Sequence, residues 1–277
     1  MTTIALLYPG EMGAAIGACL VKAGRRVVTA GRGRSADTRS RSLSAGLEDC
    51  GSLADAIAGA DVVLSVCPPH GAGELAEDVA RLGYRGTYVD ANAVSPETSR
   101  TIGTTVTNAG ARFVDGGIVG PPPGNGVRVW LYLCGQGASD VAGLFSGTDV
   151  IAEVLDGGPG SASALKMCFA AWSKGSVALL AAIRTLARHE GVDGALLGEW
   201  AHSAPDLPKR SESIAANAHK AWRWIVEMEE IAASFEAAGL PDGFHLASAE
   251  IYRRLDTFKN VQKPPAMSDV IDRLGEK

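Results

Sequence analysis

Six short apolar segments alternate with helical patterns through the first half of this 277-residue chain, and no other feature constrains the fold as much. The strand candidates are Ile4–Tyr8, Arg26–Ala30, Asp61–Cys67, Gly86–Asp90, Arg112–Asp115 and Val127–Cys134. Met12–Ala23, Ser52–Ala58 and Gly73–Leu82 read as helices between them. Near-continuous apolar strands separated by helices are βαβ units, whose sheet is parallel and covered on both faces. Right-handed crossovers then predict a doubly wound α/β domain.

The second half changes character. Ser161–Glu190 reads as one long helix ended by Gly191, followed by helices over Asp193–His202, Ser211–Ala237 and Leu246–Thr257. The turn Asp156-Gly157-Gly158-Pro159-Gly160 separates a domain of residues 1–158 from an all-helical domain of residues 159–277. Around Val177–Leu186 the long helix is apolar nearly all round, which predicts burial on most sides. That points to a homodimer formed through the C-terminal helices; the alternative is the central helix of a monomeric domain. Lys263-Pro264-Pro265 marks a late surface turn.

Several function classes are excluded. A net charge of −5 without a basic run gives no footprint for nucleic acid. The five cysteines are dispersed with no C-x-x-C pair, which predicts a reducing compartment. Cys67 and His70 are half a metal site at most, so no metal is expected. No basic leader precedes a long apolar stretch, and no segment approaches the roughly 18 apolar residues of a membrane span. A soluble, cytoplasmic protein acting on a small molecule is the expectation.

The turn after the first strand, Tyr8-Pro9-Gly10-Glu11-Met12-Gly13, carries a dinucleotide fingerprint with Tyr8 where G-x-G-x-x-G has its first glycine. Its place between a strand and a helix supports the motif. Gly10 lets backbone approach a pyrophosphate, Gly13 lets the helix pack close to the sheet, and the helix start supplies N–H donors. Because a residue before proline favours extended geometry, Tyr8 is expected to end the strand and Pro9 to start the turn. After the second strand the chain reads A-G-R-G-R-S, with no acid until Asp37. Acids there favour NAD, whereas Arg32, Arg34 and Ser35 fit the 2′-phosphate of NADP(H); a solvated loop is the alternative.

With Y-P-G-E-M-G, G-R, D-V-V-L-S-V-C-P-P (Asp61–Pro69) and V-D-A-N-A-V-S-P (Val89–Pro96) in order, the chain resembles the β-hydroxyacid dehydrogenases, which include 6-phosphogluconate and 3-hydroxyisobutyrate dehydrogenases. Its C-terminal half, with A-L-K-M-C-F-A-A-W and E-M-E-E-I-A, is similar to a poorly characterised 6-phosphogluconate-dehydrogenase-like branch. The resemblance implies a Rossmann domain, with Cys67, Pro68 and Pro69 beside the nicotinamide ribose and Asn92 near the nicotinamide. It also implies that Lys166, six residues after Gly160 in G-x-x-x-x-x-K-x-x-x-N, is the general acid/base. Hydride transfer to a carbonyl needs such a proton donor, and an apolar helix would lower a lysine's pKa toward a usable range. A surface lysine on an amphipathic helix is the alternative.

The departures concern the substrate. Ala170 stands where the motif has asparagine. In the loop D-x-x-x-S-G-G, beginning at Asp115, Val119 replaces serine, Gly120 remains and Pro121 replaces the second glycine, removing an N–H. In the family these groups hold a carboxylate, so a simple hydroxy acid is not implied. Ser173 shares the helix face of Lys166, while Lys174 is rotated about 80° from it. Trp172, Trp222, Trp224 and His245 are further candidates, the tryptophans also suited to a core; Glu227, Glu229 and Glu230 fit a solvated acidic face, with contact to a basic substrate as the alternative. The expectation is an NADP(H)-dependent oxidoreductase of a small carbonyl or hydroxy substrate. Imine reduction and a non-catalytic NADPH-binding redox sensor are the alternatives.

Overall fold

The computed structural model describes residues 2–259 and 261–276. Contacts divide the chain into two compact units, one ending at Met167 and one beginning at Cys168. The first is built on strands β1 Thr3–Leu7, β2 Arg26–Thr29, β3 Glu48–Asp49, β4 Val62–Ser65, β5 Thr87–Asp90, β6 Arg112–Val119, β7 Val129–Cys134 and β8 Val150–Val154. They form one sheet in the order β3-β2-β1-β4-β5-β6-β7-β8. Every neighbouring pair is parallel except β6–β7. Helices α1 Glu11–Lys22, α2 Ala36–Ser44, α3 Leu53–Ile57, α4 Ala72–Arg81, α5 Pro96–Asn108 and α6 Ala138–Gly143 cover it.

The alternation of side chains along β1 explains the layering. Ile4 and Leu6 pack with Ile16 and Leu20 of α1, while Ala5 and Leu7 join a second core with Leu75 and Val79 of α4 and Ile102 of α5. Gly17 sets the α1 approach: a Cβ there would lie 2.8 Å from Leu47 Cδ1 and 2.9 Å from Leu6 Cδ2. At Gly13 a Cβ would meet its nearest neighbour, Val66, at an ordinary 3.5 Å. Close helix packing therefore belongs to Gly17, not to Gly13 as the fingerprint predicts.

Helix α7, Ser161–His189, leaves the first unit, and most of its length belongs to the second. That unit continues with α8 Asp193–Ser203, α9 Leu207–Ser211, α10 Ser213–Asn217, α11 Trp224–Ala237, α12 Gly243–Arg254 and α13 Met267–Gly275. The helix expected over Ser211–Ala237 is broken by a 3₁₀ stretch, Ala218–Arg223. Short polar side chains compete for backbone there: Ser213 Oγ donates to the Arg210 carbonyl at 2.7 Å and Asn217 Nδ2 to that of Ser213 at 2.8 Å.

The expectation that no segment resembles a membrane span needs correction. An 18-residue window of α7 has mean hydropathy 1.2, long and apolar enough by length and composition. Two apolar runs, Met167–Trp172 and Val177–Ile183, flank Ser173-Lys174-Gly175-Ser176, so the average is high although neither run alone reaches that length. Nor is the helix buried on most sides within the chain. Phe169, Trp172, Leu179 and Leu186 are 46%, 64%, 60% and 63% exposed and form one stripe along it.

Candidate functional site

The sheet order reverses direction between β1 and β4, the place where open α/β sheets bind ligands beyond their strand ends. The turn after β1 does not end in extended geometry. Tyr8 has φ 54, in the left-handed region, and its carbonyl accepts from Gly10 N at 2.8 Å. The tight strand-to-helix turn thus overrides the preference of a residue before proline, at a cost on the order of 1–2 kcal/mol for a non-glycine residue. Gly10 precedes α1, no side chain caps that helix, and a Cβ on Gly10 would meet nothing within 4 Å. This open helix start, with Glu11, Met12 and Gly13 as its first residues, fits a pyrophosphate.

The turn after β2 lies against it. Arg34 N donates to Gly31 O at 3.1 Å and Gly33 takes φ 77. The Arg34 guanidinium carbon sits 3.8 Å from the Tyr8 ring centroid, and Arg34 Nε is buried without a hydrogen-bond partner. Ser35 caps α2, its Oγ accepting from Thr38 N at 3.2 Å, while Arg32 is exposed. An acid does reach this region: Asp49, at the end of β3, accepts from Gly31 N at 2.9 Å and Gly51 N at 2.8 Å through Oδ1. Sequence reading missed it because strand pairing, not proximity in sequence, brings it to β2. A cleft of about 250 Å³ opens between these turns, lined by Pro9, Gly31, Arg34, Thr38, Arg39 and Asp49 among others.

At the ends of β4 and β5, Asn92 is the hub. Its Oδ1 accepts from Cys67 N at 2.6 Å, and its Nδ2 donates to Ser65 Oγ at 2.8 Å and to Asp90 Oδ1. Asn92 is therefore held rigidly where β5 gives way to its loop. Asp90 is fully buried with Oδ2 unpartnered, and its pKa is raised to about 7, first by burial and further by neighbouring Asp115. Burial likewise pushes the Cys67 thiol up to about 12, so it is a poor nucleophile. Pro68 is exposed and Pro69 half-buried, where the chain turns into α4.

Asp115 of β6 collects donors from three directions. Oδ1 accepts from Ser99 Oγ at 2.9 Å and Ser163 Oγ at 2.6 Å. Oδ2 accepts from Ala162 N at 2.9 Å and Ser163 N at 3.1 Å, with the Cys134 thiol 3.3 Å away. Asp115 is thus a long-range cap for α7, a role no local pattern announces. Two residues along β6, a Cβ on Gly117 would lie 2.5 Å from Ala162 O and 3.2 Å from Lys166 Cβ. The missing side chain lets the first turn of α7 rest on the strand, fixing half-buried Lys166 on the strand beside β5. The expected substrate loop is partly strand, since Asp115–Val119 pair antiparallel with Trp130–Cys134. Only Gly120, at φ 129, and exposed Pro121 lie beyond it.

In the second unit Ala170 is fully buried and Ser173 half-buried. Lys174 pairs with Glu227, and Tyr252 Oη donates to the Lys174 carbonyl at 2.8 Å. Glu227 is therefore a buried ion-pair member and not part of a solvated face, whereas Glu229 pairs at the surface with Arg253 at 2.9 Å. Trp224 packs edge-on to Tyr252 at 5.1 Å, and Trp222 carries the Lys259 ammonium at 4.4 Å. His245 is buried against Phe235 and lines a groove of about 800 Å³ with Trp172 and Phe244. Among the described residues, no group of three or more His, Cys, Asp or Glu is arranged to hold a metal ion.

Comparison with known proteins agrees with this geometry. Residues 3–135 match the NAD binding domain of 6-phosphogluconate dehydrogenase, and residues 187–255 match a domain of unknown function, DUF1932. An uncharacterised 28.5 kDa protein in the 7S RNA 5′ region of Methanothermus fervidus is 28% identical over 171 residues, spanning 62% of this chain and 65% of that protein. A solved conserved protein of unknown function, described as similar to 3-hydroxyacid dehydrogenases, is 27% identical with TM-score 0.68, covering 92% of this chain and 97% of its own. Mycobacterium tuberculosis 3-hydroxyisobutyrate dehydrogenase with L-serine shares the fold at 21% identity and TM-score 0.72 over 100% of both chains. So does an Aspergillus terreus reductive aminase in complex with NADPH, cyclohexanone and allyl amine, at 18% identity and TM-score 0.59 over 98% of each.

Proposed function

We propose that this chain, whose first half matches the NAD binding domain of 6-phosphogluconate dehydrogenase, is an NADP(H)-dependent oxidoreductase of a small carbonyl or hydroxy compound, related to the β-hydroxyacid dehydrogenases and with Lys166 as general acid/base. The uncapped α1 start with Gly10 would hold the diphosphate, and Arg34 with Arg32 the 2′-phosphate. Cys67, Pro68 and Pro69 would lie beside the nicotinamide ribose, and Asn92, fixed by Cys67 N and Ser65, near the nicotinamide. When bound, the nicotinamide gives or accepts the hydride. Lys166 supplies a proton to the developing alkoxide in reduction and removes it in oxidation.

The observation that carries this reading is Gly117, whose missing side chain admits α7 and its lysine onto the strand next to the Asn92 edge. Lys166→Ala should retain NADPH binding while NADPH oxidation over a panel of small carbonyls and imines falls by about 10²–10⁴-fold. Unchanged turnover would overturn the assignment. Imine reduction remains the second reading: Val119, Pro121 and Ala170 replace the family's carboxylate-holding groups and leave an uncharged substrate acceptable.

The exposed stripe of Phe169, Trp172, Leu179 and Leu186, three of them seven residues apart, supports a homodimer through α7. Sedimentation of wild-type protein as a monomer at micromolar concentration would remove that assembly. All five cysteines are free, which supports a reducing, cytoplasmic setting. Disulfides in freshly isolated protein would count against it.

A further inference from the structure

We propose that Tyr8 is a specificity-determining residue, its ring serving as the platform that holds Arg34 where the guanidinium meets the 2′-phosphate of NADP(H). The inference rests on the NADP reading above and adds to it a residue from a different turn.

The turn itself asks for glycine at position 8. With φ 54, any side chain there is strained, and glycine would adopt the same geometry freely. Retaining a tyrosine requires that its side chain do something the turn does not need. Besides packing at the margin of the second core, the ring lies against Arg34, whose guanidinium carbon is 3.8 Å from the ring centroid. Burial raises the Tyr8 phenol above its ordinary pKa, so the platform is uncharged.

Arg34 is a cation held ready for an anion. Arg26, at the start of β2, is paired with Glu48 at 2.8 Å, but no carboxylate among the described residues pairs with Arg34. Its Nε is buried without an acceptor. A guanidinium stacked on an aromatic face keeps its N–H donors in the plane, directed away from the ring and open to a phosphate. The same side chain lines the cleft between the β1 and β2 turns with Pro9, Gly31, Thr38 and Arg39. One contact therefore couples the diphosphate turn to the turn that selects between NAD and NADP.

The test measures dissociation constants for NADPH and NADH by titration calorimetry on folded, melt-checked variants. Wild type should prefer NADPH. Tyr8→Leu should weaken NADPH by roughly tenfold, with NADH moving less than about twofold. Tyr8→Phe should keep the wild-type preference, because the ring remains. Tyr8→Gly, which the turn accepts without strain, should lose the preference as leucine does. Equal losses for both cofactors, an unchanged preference in the leucine or glycine variant, or loss of preference in phenylalanine would each overturn the platform role. Arg34→Ala separates this from the parent reading. If wild type shows no preference for NADPH, the NADP reading fails and the Tyr8 role fails with it; if the preference survives without Arg34, the Arg34 and Tyr8 roles fail while the NADP reading stands. If Arg34→Ala abolishes the preference but Tyr8→Leu does not, only the Tyr8 role fails.

Discussion

Asp90 and Asp115 are register partners on neighbouring parallel strands, both with no solvent exposure, yet their carboxyl groups live in opposite surroundings. Asp115 meets two hydroxyls, two backbone N–H groups and a thiol. Asp90 meets the Asn92 amide through one oxygen, and its other oxygen has no partner. Burial is common to both; the supply of donors is not. On β6 three of the five donors come from the N-terminal turn of α7, admitted by Gly117, so the buried group becomes an anchor. On β5 nothing comparable arrives, and burial instead pushes Asp90 up to about 7. The edge of the sheet thus holds one carboxyl group committed to structure beside one poised to titrate.

The largest break in this comparison comes from deleting the anchor. Asp115→Ala leaves the N–H groups of Ala162 and Ser163 and the hydroxyls of Ser99 and Ser163 buried without their acceptor. A loss of about 3–5 kcal/mol in urea unfolding is expected, with turnover falling more than NADPH affinity because Lys166 loses its footing. Asp115→Asn keeps one oxygen but turns an NH₂ toward donors, so it should fall between alanine and wild type. A stability change below about 1 kcal/mol for Asp115→Ala would mean that Gly160 and the β6 contact suffice to start α7.

How much of this was legible in the sequence depends on how local each signal was. The βαβ rhythm placed β1, β2, β4, β5, β6 and β7 within a few residues, because buried strands are written as apolar runs. Strand β3, Glu48–Asp49, is two exposed acids and carries no such signal, while β8, Val150–Val154, fades into Glu153 and an exposed Val154. Lys166 and Gly10 could be picked out because their motifs fix spacing along the chain. Asp115 as a helix cap, Asp49 behind Gly31 and Glu227 beneath Lys174 could not, since each pairs with a partner brought by tertiary folding. Tyr8 shows two local rules in conflict. The residue before proline favours extension, the strand-to-helix turn demands the left-handed region, and the turn wins.

The smaller effect sharpens the other half of the comparison. The ordinary Asp value is 3.8, and in the folded protein Asp90 is raised to about 7. Between those pH values the unfolded chain has released the proton that the folded protein still holds, so rising pH favours unfolding. The contribution is fully present below 3.8 and is lost as pH rises through 7. At its steepest a single proton changes stability by about 1.4 kcal/mol per pH unit. The difference between wild type and Asp90→Asn isolates this from other titrating groups, since asparagine keeps an oxygen for Asn92 Nδ2 and cannot ionise. From pH 5 to pH 7 wild type should therefore lose stability relative to the variant by roughly 1 kcal/mol or more per unit, the difference levelling off above that range. A difference that stays flat would mean that Asp90 ionises as freely as an exposed aspartate. The contrast with Asp115 would then rest on hydrogen bonds alone and not on protonation.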